Sequence, residues 1–326
     1  MLDIITFGSA TRDIFLQSKT FKIVGEKKFI TGKGLYLSLG SKIEIKNIYF
    51  STGGGGTNTA ATFANQRFRT AYCGIVGNDP AGEEVIRDLK RHKIESQFVL
   101  KTRKKPTNLS VVLTSDGQER TILVYRGASE ELAKKAIPWS KLKAKWFYLA
   151  PLSGKLCRLF EFLVDFAQKN KIKIMVNPGN SQLALPKRVL ERILKKIDIL
   201  ALNQEEASLL TNISYFQEEK IFKKIDEICP GIAIMTKGPA GVVVSDGQYL
   251  YQAVPPKSKV VDRTGAGDAF NSGFLSGFIQ SQGHIPYAIQ LGIANSSACL
   301  QEIGAKNGLL KKNQKWPKVK VKIKKL

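Results

Sequence analysis

The residues best equipped for chemistry lie late in the chain, in the run Val261-Asp262-Arg263-Thr264-Gly265-Ala266-Gly267-Asp268-Ala269-Phe270. Three small residues, Gly265, Ala266 and Gly267, open a helix that carries on through Gly273 and Gly277. The first turn of a helix has unpaired N–H groups and a partial positive charge, so it attracts phosphate, and small residues let the phosphate come close. Asp268 falls just inside that turn. A carboxylate there can take the proton of a hydroxyl that attacks a phosphoryl group. It can also do no more than complement the helix dipole.

A second group of small residues, Gly53-Gly54-Gly55-Gly56-Thr57-Asn58-Thr59-Ala60, precedes a helix whose start lacks large side chains. A ligand or another backbone can lie against such a surface, and Asn58 offers it one donor and one acceptor, a pairing suited to hydroxyls. The spacing is not that of a dinucleotide fingerprint. The alternative reading is a hinge with tight helix packing. Asn203 and Glu206 follow an apolar strand and fit a capping box as well as a binding role. Thr236-Lys237-Gly238 follows another strand, and the carboxyl ends of parallel strands are where open α/β sheets bind ligands. Asp13, after the first strand, has the same two readings.

These groups need a scaffold, and strand and helix patterns alternate for most of the chain, as in a parallel sheet covered by helices. Strands are expected at residues 2–9, 70–76, 146–150, 172–177, 197–202 and 232–236, with a hairpin pair at 241–245 and 248–253. Helices are expected at 57–68, 81–92, 156–169, 187–195, 204–210, 216–228, 265–282 and 286–301. Residues 20–50 differ, because period-two alternation separated by glycines predicts amphipathic strands that cover something on one face. Two more strands, near 109–114 and 121–125, flank a turn at Ser115-Asp116-Gly117-Gln118.

Length and composition narrow the class. The 326 residues suit one α/β domain with an added piece, and 43% hydrophobic with 24% charged residues excludes disordered and collagen-like chains. The four cysteines, Cys73, Cys157, Cys229 and Cys299, are dispersed, so neither a disulfide framework nor a zinc site is expected. The opening residues read as a strand rather than a signal peptide, and no apolar run is long enough for a membrane span. A soluble cytoplasmic protein is expected. The +24 net charge, from 51 Lys plus Arg against 27 Asp plus Glu, favours acidic partners, yet no aromatic platform or recognition helix accompanies the lysines. Eight lysines fall in residues 311–326, and the alternation Lys318-Val319-Lys320-Val321-Lys322-Ile323-Lys324 fits either a basic tail or a charged edge strand. There is no Walker A sequence, no protein-kinase catalytic loop and no nucleophile elbow, and neither His92 nor His284 has a ligand-spaced partner.

Taken together over residues 2–308, the early glycine cluster with Asn58 and the late D-x-T-G-A-G-D segment resemble the PfkB, or ribokinase-like, family of carbohydrate kinases. The resemblance implies a three-layer α/β sandwich with a central, mostly parallel sheet and a small β-sheet lid. It implies a kinase domain over 1–310, lid strands inserted at about 14–50 and 108–126, and a lysine-rich tail at 311–326. It also implies ATP-dependent phosphorylation of a sugar hydroxyl, with Asp268 as base and the backbone of Gly265, Ala266 and Gly267 as anion hole. By the same resemblance Asp13, Gly54, Gly55 and Asn58 line the sugar site. Asn203, Thr236, Gly238 and Asn295 meet the nucleotide, and Glu206 helps to hold Mg²⁺ through water. Asp262 and Thr264 match positions beside a K⁺ site in some members, and in several members the lid forms a homodimer interface. Gly55 stands where ribokinases usually carry a lysine, and Arg263 where small or polar residues are frequent. A nucleoside kinase of the same family is the alternative of the same class, and a catalytically inactive nucleic-acid-binding protein the alternative of another.

Overall fold

The computed structural model describes residues 1–25, 32–115 and 120–326. The strand Leu2–Phe7 lies inside a ten-stranded sheet, flanked on one side by Thr70–Gly77 and then Val99–Thr102. On its other side follow Ala144–Leu149, Lys173–Val176, Ile199–Asn203 and Ile232–Thr236, all parallel. Val242–Ser245, Tyr249–Ala253 and Lys322–Lys325 extend that end antiparallel. The parallel strands are continuous apolar runs because helices cover both faces. Neighbouring residues therefore enter opposite cores. Ile5, Phe7, Phe147 and Leu149 pack with Phe160, Leu163 and Phe222 on one side, whereas Ile4, Tyr148 and Met175 pack with Phe63, Phe270 and Phe274 on the other.

The lid is a four-stranded sheet in the order Asn47–Gly53, Thr11–Gln17, Asn108–Thr114, Arg120–Tyr125. Its cross-strand register sorts the residues onto two faces. Tyr49, Phe15, Val112 and Ile122 form one row, and Phe50, Ile14, Val111 and Leu123 form a row on the other. The lid begins at Thr11, earlier than expected, since the chain turns from the first strand directly into it. Of the strands expected at 20–50, only the last joins this sheet. Lys22–Gly25 and Lys33–Tyr36 pair as a separate ribbon. Residues 116–118 of the expected turn lie outside the described residues.

The lysine-rich end is a strand. Lys322–Lys325 pairs with Tyr249–Ala253 at the sheet edge, and Val319, Val321 and Leu326 pack against the cores. Of the two readings of this segment, the edge strand holds for Lys322–Lys325, with Val319, Val321 and Leu326 partly buried and the lysines in water. The short strand Val99–Thr102, at the other edge, gives no clear alternation and is not expected from the sequence. All four cysteines are free and buried. Among the described residues no helix is long and apolar enough to cross a membrane.

Candidate active site

Two helices with small-residue starts meet at the centre of the molecule. Gly55–Asn65 packs against Ala266–Gln280 and against the first strand. Their hydroxyl side chains bond back to their own helices: Thr59 Oγ1 donates to the Gly55 carbonyl at 2.7 Å, and Ser276 Oγ donates to the Ser272 carbonyl at 2.7 Å. That leaves few groups projecting between the two axes. Gly54 precedes the first helix at φ 93°, and a Cβ there would lie 2.5 Å from the Ser9 carbonyl oxygen. Gly265 caps the second at φ 76°, where a Cβ would run into Ala305. Both positions need glycine for conformation and for space.

Asn58 and Asp268 are brought together by this packing. Asn58 Nδ2 donates to Asp268 Oδ2 at 2.8 Å. Asn58 is 5% exposed, and its buried Oδ1 has no hydrogen-bond partner among the described residues. Burial raises the Asp268 carboxyl above its ordinary range, and the Asn58 amide opposes that by bonding to the charged form. Gly55 lies against the same carboxylate, since a Cβ there would sit 3.5 Å from Asp268 Oδ1 and 2.9 Å from the Ala150 Cβ. The floor of the site leaves no room for a side chain at position 55.

Two cavities flank the loop that leads into the second helix. One, of about 640 Å³, is lined by Thr236, Gly238, Ala266, Gly267, Phe270, Ser296 and Ser297 among others. Gly267 is exposed, with nothing within 4 Å of where a Cβ would be, so this helix start faces open space. The other cavity, of about 620 Å³, lies under the lid and is lined by Phe15, Gln17, Tyr49, Arg120, Asp262 and Ile303 among others. Val260 and Arg263 line both. Asp13 is on the cavity-facing side of the lid, 5% exposed, and a Cβ on Gly53 would overlap its carboxylate. Burial pushes Asp13 up to about 6, against a hydrogen bond from Ser110 and the charge of Lys306.

Other expected residues are otherwise engaged. Asn295 is fully buried: its Nδ2 donates to Thr62 Oγ1 at 3.1 Å and to the Ala269 carbonyl at 2.8 Å, and its Oδ1 accepts from Leu310 N at 2.8 Å. That corrects its expected place near a nucleotide, because its polar groups already staple three segments together. Its neighbours Ser296 and Ser297 face the cavity instead. Asn203 and Glu206 form a capping box, with Glu206 Oε2 accepting from Asn203 N and Asn203 Oδ1 accepting from Glu206 N, each at 2.8 Å. Glu206 retains its other oxygen, and burial raises its carboxyl. Asp262 is occupied as well. Its Oδ1 accepts from Thr264 N at 2.9 Å and Thr264 Oγ1 at 2.8 Å, its Oδ2 accepts from Gly304 N at 2.9 Å, and Arg120 of the lid stands 3.5 Å away. The lid residues Phe15, Tyr49, Ser110 and Arg120, and Lys306 behind Asp13, were not singled out from sequence. Single residues on short strands give no pattern, and only the register shows which face they share.

This is the architecture of a nucleotide-dependent phosphotransferase, with a sheet-borne cavity at a helix start and a second cavity beneath a lid. Residues 22–312 match the family described as pfkB family carbohydrate kinase, and the chain belongs to that family: it is an ATP-dependent kinase of the ribokinase-like sugar and nucleoside kinase group. A ribokinase of Lactococcus lactis is 30% identical over 279 residues, which is 84% of this chain and 86% of that one. The Arabidopsis thaliana ribokinase complexed with ribose and ATP has the same fold at 21% identity, with a TM-score of 0.78 over 95% of this chain and 96% of that one. The nucleoside kinase of Methanocaldococcus jannaschii gives a TM-score of 0.72 at 19% identity, over 95% of each chain.

Proposed function

We propose that this kinase transfers the γ-phosphoryl group of ATP to a hydroxyl of a small sugar, with Asp268 as the general base. The observation that carries the reading is the Asn58–Asp268 contact directly beside the open Gly265–Gly267 helix start. The ATP phosphates would lie in the cavity with Thr236 and Gly238, their γ end at the amides of Gly265, Ala266 and Gly267. Those amides would take up charge as it develops on the transferred group. The acceptor would lie between Asp13, Gly54, Gly55 and Asn58. There the Asn58 Oδ1 can accept from a second substrate hydroxyl while Nδ2 holds the base ready. The Asp268 carboxylate would receive the proton of the attacking hydroxyl. A closed lid would exclude water that otherwise hydrolyses ATP.

Among the described residues no three carboxylate, histidine or cysteine side chains gather as a metal cage. The donor set still fits Mg²⁺ that enters on the nucleotide, since such an ion keeps several waters and needs one or two carboxylates. Glu206, with its one uncommitted oxygen, would hold it through water. Mg²⁺ would neutralise phosphate charge during transfer. A K⁺ ion beside Asp262 and Thr264 would share the Asp262 oxygens with the protein donors Thr264 and Gly304 N.

A nucleoside acceptor is the second reading. Phe15 and Tyr49 line the lid cavity, and aromatic rings suit a base as well as the carbon face of a sugar. The partner proposed for the lid is a second copy of this chain. Ile48, Phe50, Leu123 and Tyr125 are 52%, 56%, 55% and 46% exposed on the sheet face turned away from the cavity. A two-fold axis there would cover the same apolar patch on both copies. The test of the function is ADP release from Mg·ATP across a panel of pentoses, hexoses, their phosphates and nucleosides. Saturable turnover with a sugar is expected, turnover confined to nucleosides moves the reading to the second, and no turnover with any acceptor overturns both.

A further inference from the structure

We propose that the acceptor is a sugar already carrying an oxyanion, a phosphate or a carboxylate, and that Arg120 and Arg263 hold this group at the outer end of the lid cavity. The inference rests on the kinase reading and narrows its substrate class. The cavity-facing side of the lid is built in cross-strand rows. Nearest the glycine cluster, Asp13 stands between Ser51 and Ser110. Two residues along, Phe15 stands between Tyr49 and Val112, a largely apolar row. Two further again, Gln17 stands between Asn47 and Thr114, and Thr114 pairs with Arg120. Residues two apart on a strand share a face, and Phe15, Tyr49, Gln17, Thr114 and Arg120 all line the cavity. At about 3.3 Å per residue, about 13 Å of strand separates Asp13 from Gln17. A hydroxyl-binding row, an apolar row and a row ending in a guanidinium thus follow one another along a single path.

Among the described residues the charged side chains lining this cavity are Arg120, Arg263 and Asp262. Asp262 already accepts from Thr264 and from Gly304 N, with Arg120 Nη1 3.5 Å from its Oδ1. One carboxylate against two guanidiniums leaves the wall with positive charge in excess. A neutral sugar asks for partners such as Asp13 and Asn58, and a guanidinium adds little to them. The planar fork of arginine instead matches the paired oxygens of a phosphate or carboxylate, and bonds to an ionised acceptor are about twice as strong as neutral ones. The Arg120 side chain is 27% exposed and that of Asp262 10%, so salt and water screen this end of the cavity less than the open surface. Arg263 follows Asp262 directly, on a loop that the Asp262 bonds to Thr264 and Gly304 N brace. Arg120 belongs to the lid and Arg263 to the body, so one oxyanion between them would tie the two parts together over the acceptor. Arg263 also lines the nucleotide cavity, whereas Arg120 lines the lid cavity alone, and that difference separates their effects.

The experiment is calorimetric titration of the full chain, with a non-hydrolysable ATP analogue present. The ligands are pentose and hexose monophosphates, the matching aldonates, the free sugars and nucleosides. One anionic class is expected to bind about 10–100-fold more tightly than its neutral parent, the usual gain from hydrogen bonds to a charged group. Which class does so tells phosphate from carboxylate. In Arg120→Gln that advantage is expected to be lost while the affinity for the ATP analogue is unchanged, because Arg120 does not line the nucleotide cavity. Arg263→Gln is expected to lose the advantage as well. A free sugar or nucleoside that binds as tightly as every anionic sugar overturns the proposal, and so does an advantage that persists in both variants. If neither variant folds, the comparison of charged and neutral ligands on the native chain decides alone. Titration does not use phosphotransfer. Absence of turnover with every acceptor would remove the kinase reading and leave the anion advantage measurable, whereas equal binding of charged and neutral sugars would remove this inference and leave the kinase a neutral acceptor.

Discussion

Asn58 Nδ2 holds Asp268 Oδ2 at 2.8 Å across a sequence separation of 210 residues. One side chain from the first small-residue helix thus orients the carboxylate of the second. The bond favours the ionised form that a base requires, against the burial that disfavours it.

Asp268→Asn should lower kcat by about 10²–10⁴-fold, the usual cost of losing a general base, with nucleotide affinity unchanged. Steady-state kinetics with the best acceptor and calorimetric titration with a non-hydrolysable ATP analogue measure the two quantities. Retained turnover would take Asp268 out of its role.

Gly267→Ala should separate stability from activity. Nothing lies within 4 Å of the added methyl, and alanine favours a helix over glycine by up to about 1 kcal/mol. Thermal stability is expected to hold or rise slightly. ATP affinity is expected to fall, because the methyl would occupy the approach of a phosphate. Equal or better ATP binding would place the phosphates elsewhere.

The acid limb of kcat/KM should report Asp13. Its folded-state value is pushed up to about 6, so the acceptor carboxylate gains its proton as pH falls through that value. Activity from this group is present above about pH 6 and lost below it. For stability the sign is the reverse: ionising a carboxyl whose value is raised by folding costs the folded state, and protonation at low pH relieves it. A pH–rate profile in the Asp13→Asn variant that keeps the native acid limb would assign that limb to another group.

Deleting residues 311–326 should lower the melting temperature by several degrees or more. Removal of the edge strand exposes Tyr249–Ala253 and leaves the contacts of Val319, Val321 and Leu326 unmade. The folded fraction is expected to keep its kcat, since none of these residues lines either cavity. An unchanged melting curve would show the strand to be dispensable.

Phe50→Asp with Leu123→Asp should turn a dimer into a monomer. Both positions lie in the apolar row on the outer lid face and are more than half exposed in the single chain. Sedimentation velocity of the native chain and the variant reads the change directly. A native monomer at micromolar concentration removes the lid as an interface.

The sequence by itself carried the alternation of strands and helices, the two small-residue helix starts and the charged edge strand as one of two readings. Each depends on local physics: apolar runs for buried parallel strands, period-two alternation for half-exposed ones, and bare amides with small residues for anion sites. The capping box of Asn203 and Glu206 is equally local, and the structure contains it. Tertiary structure decided the rest. Asn295 sits one residue from cavity-lining Ser296 yet is fully buried between helices, and a helix of known sequence does not reveal which side meets solvent until its neighbours are placed. Lys306 reads as one more lysine in a chain of net charge +24, and only the fold buries its ammonium between Asp88 and Thr52. Facing of side chains across separate elements is fixed by register and packing, which join residues far apart in the chain and leave no periodic trace in the order of amino acids.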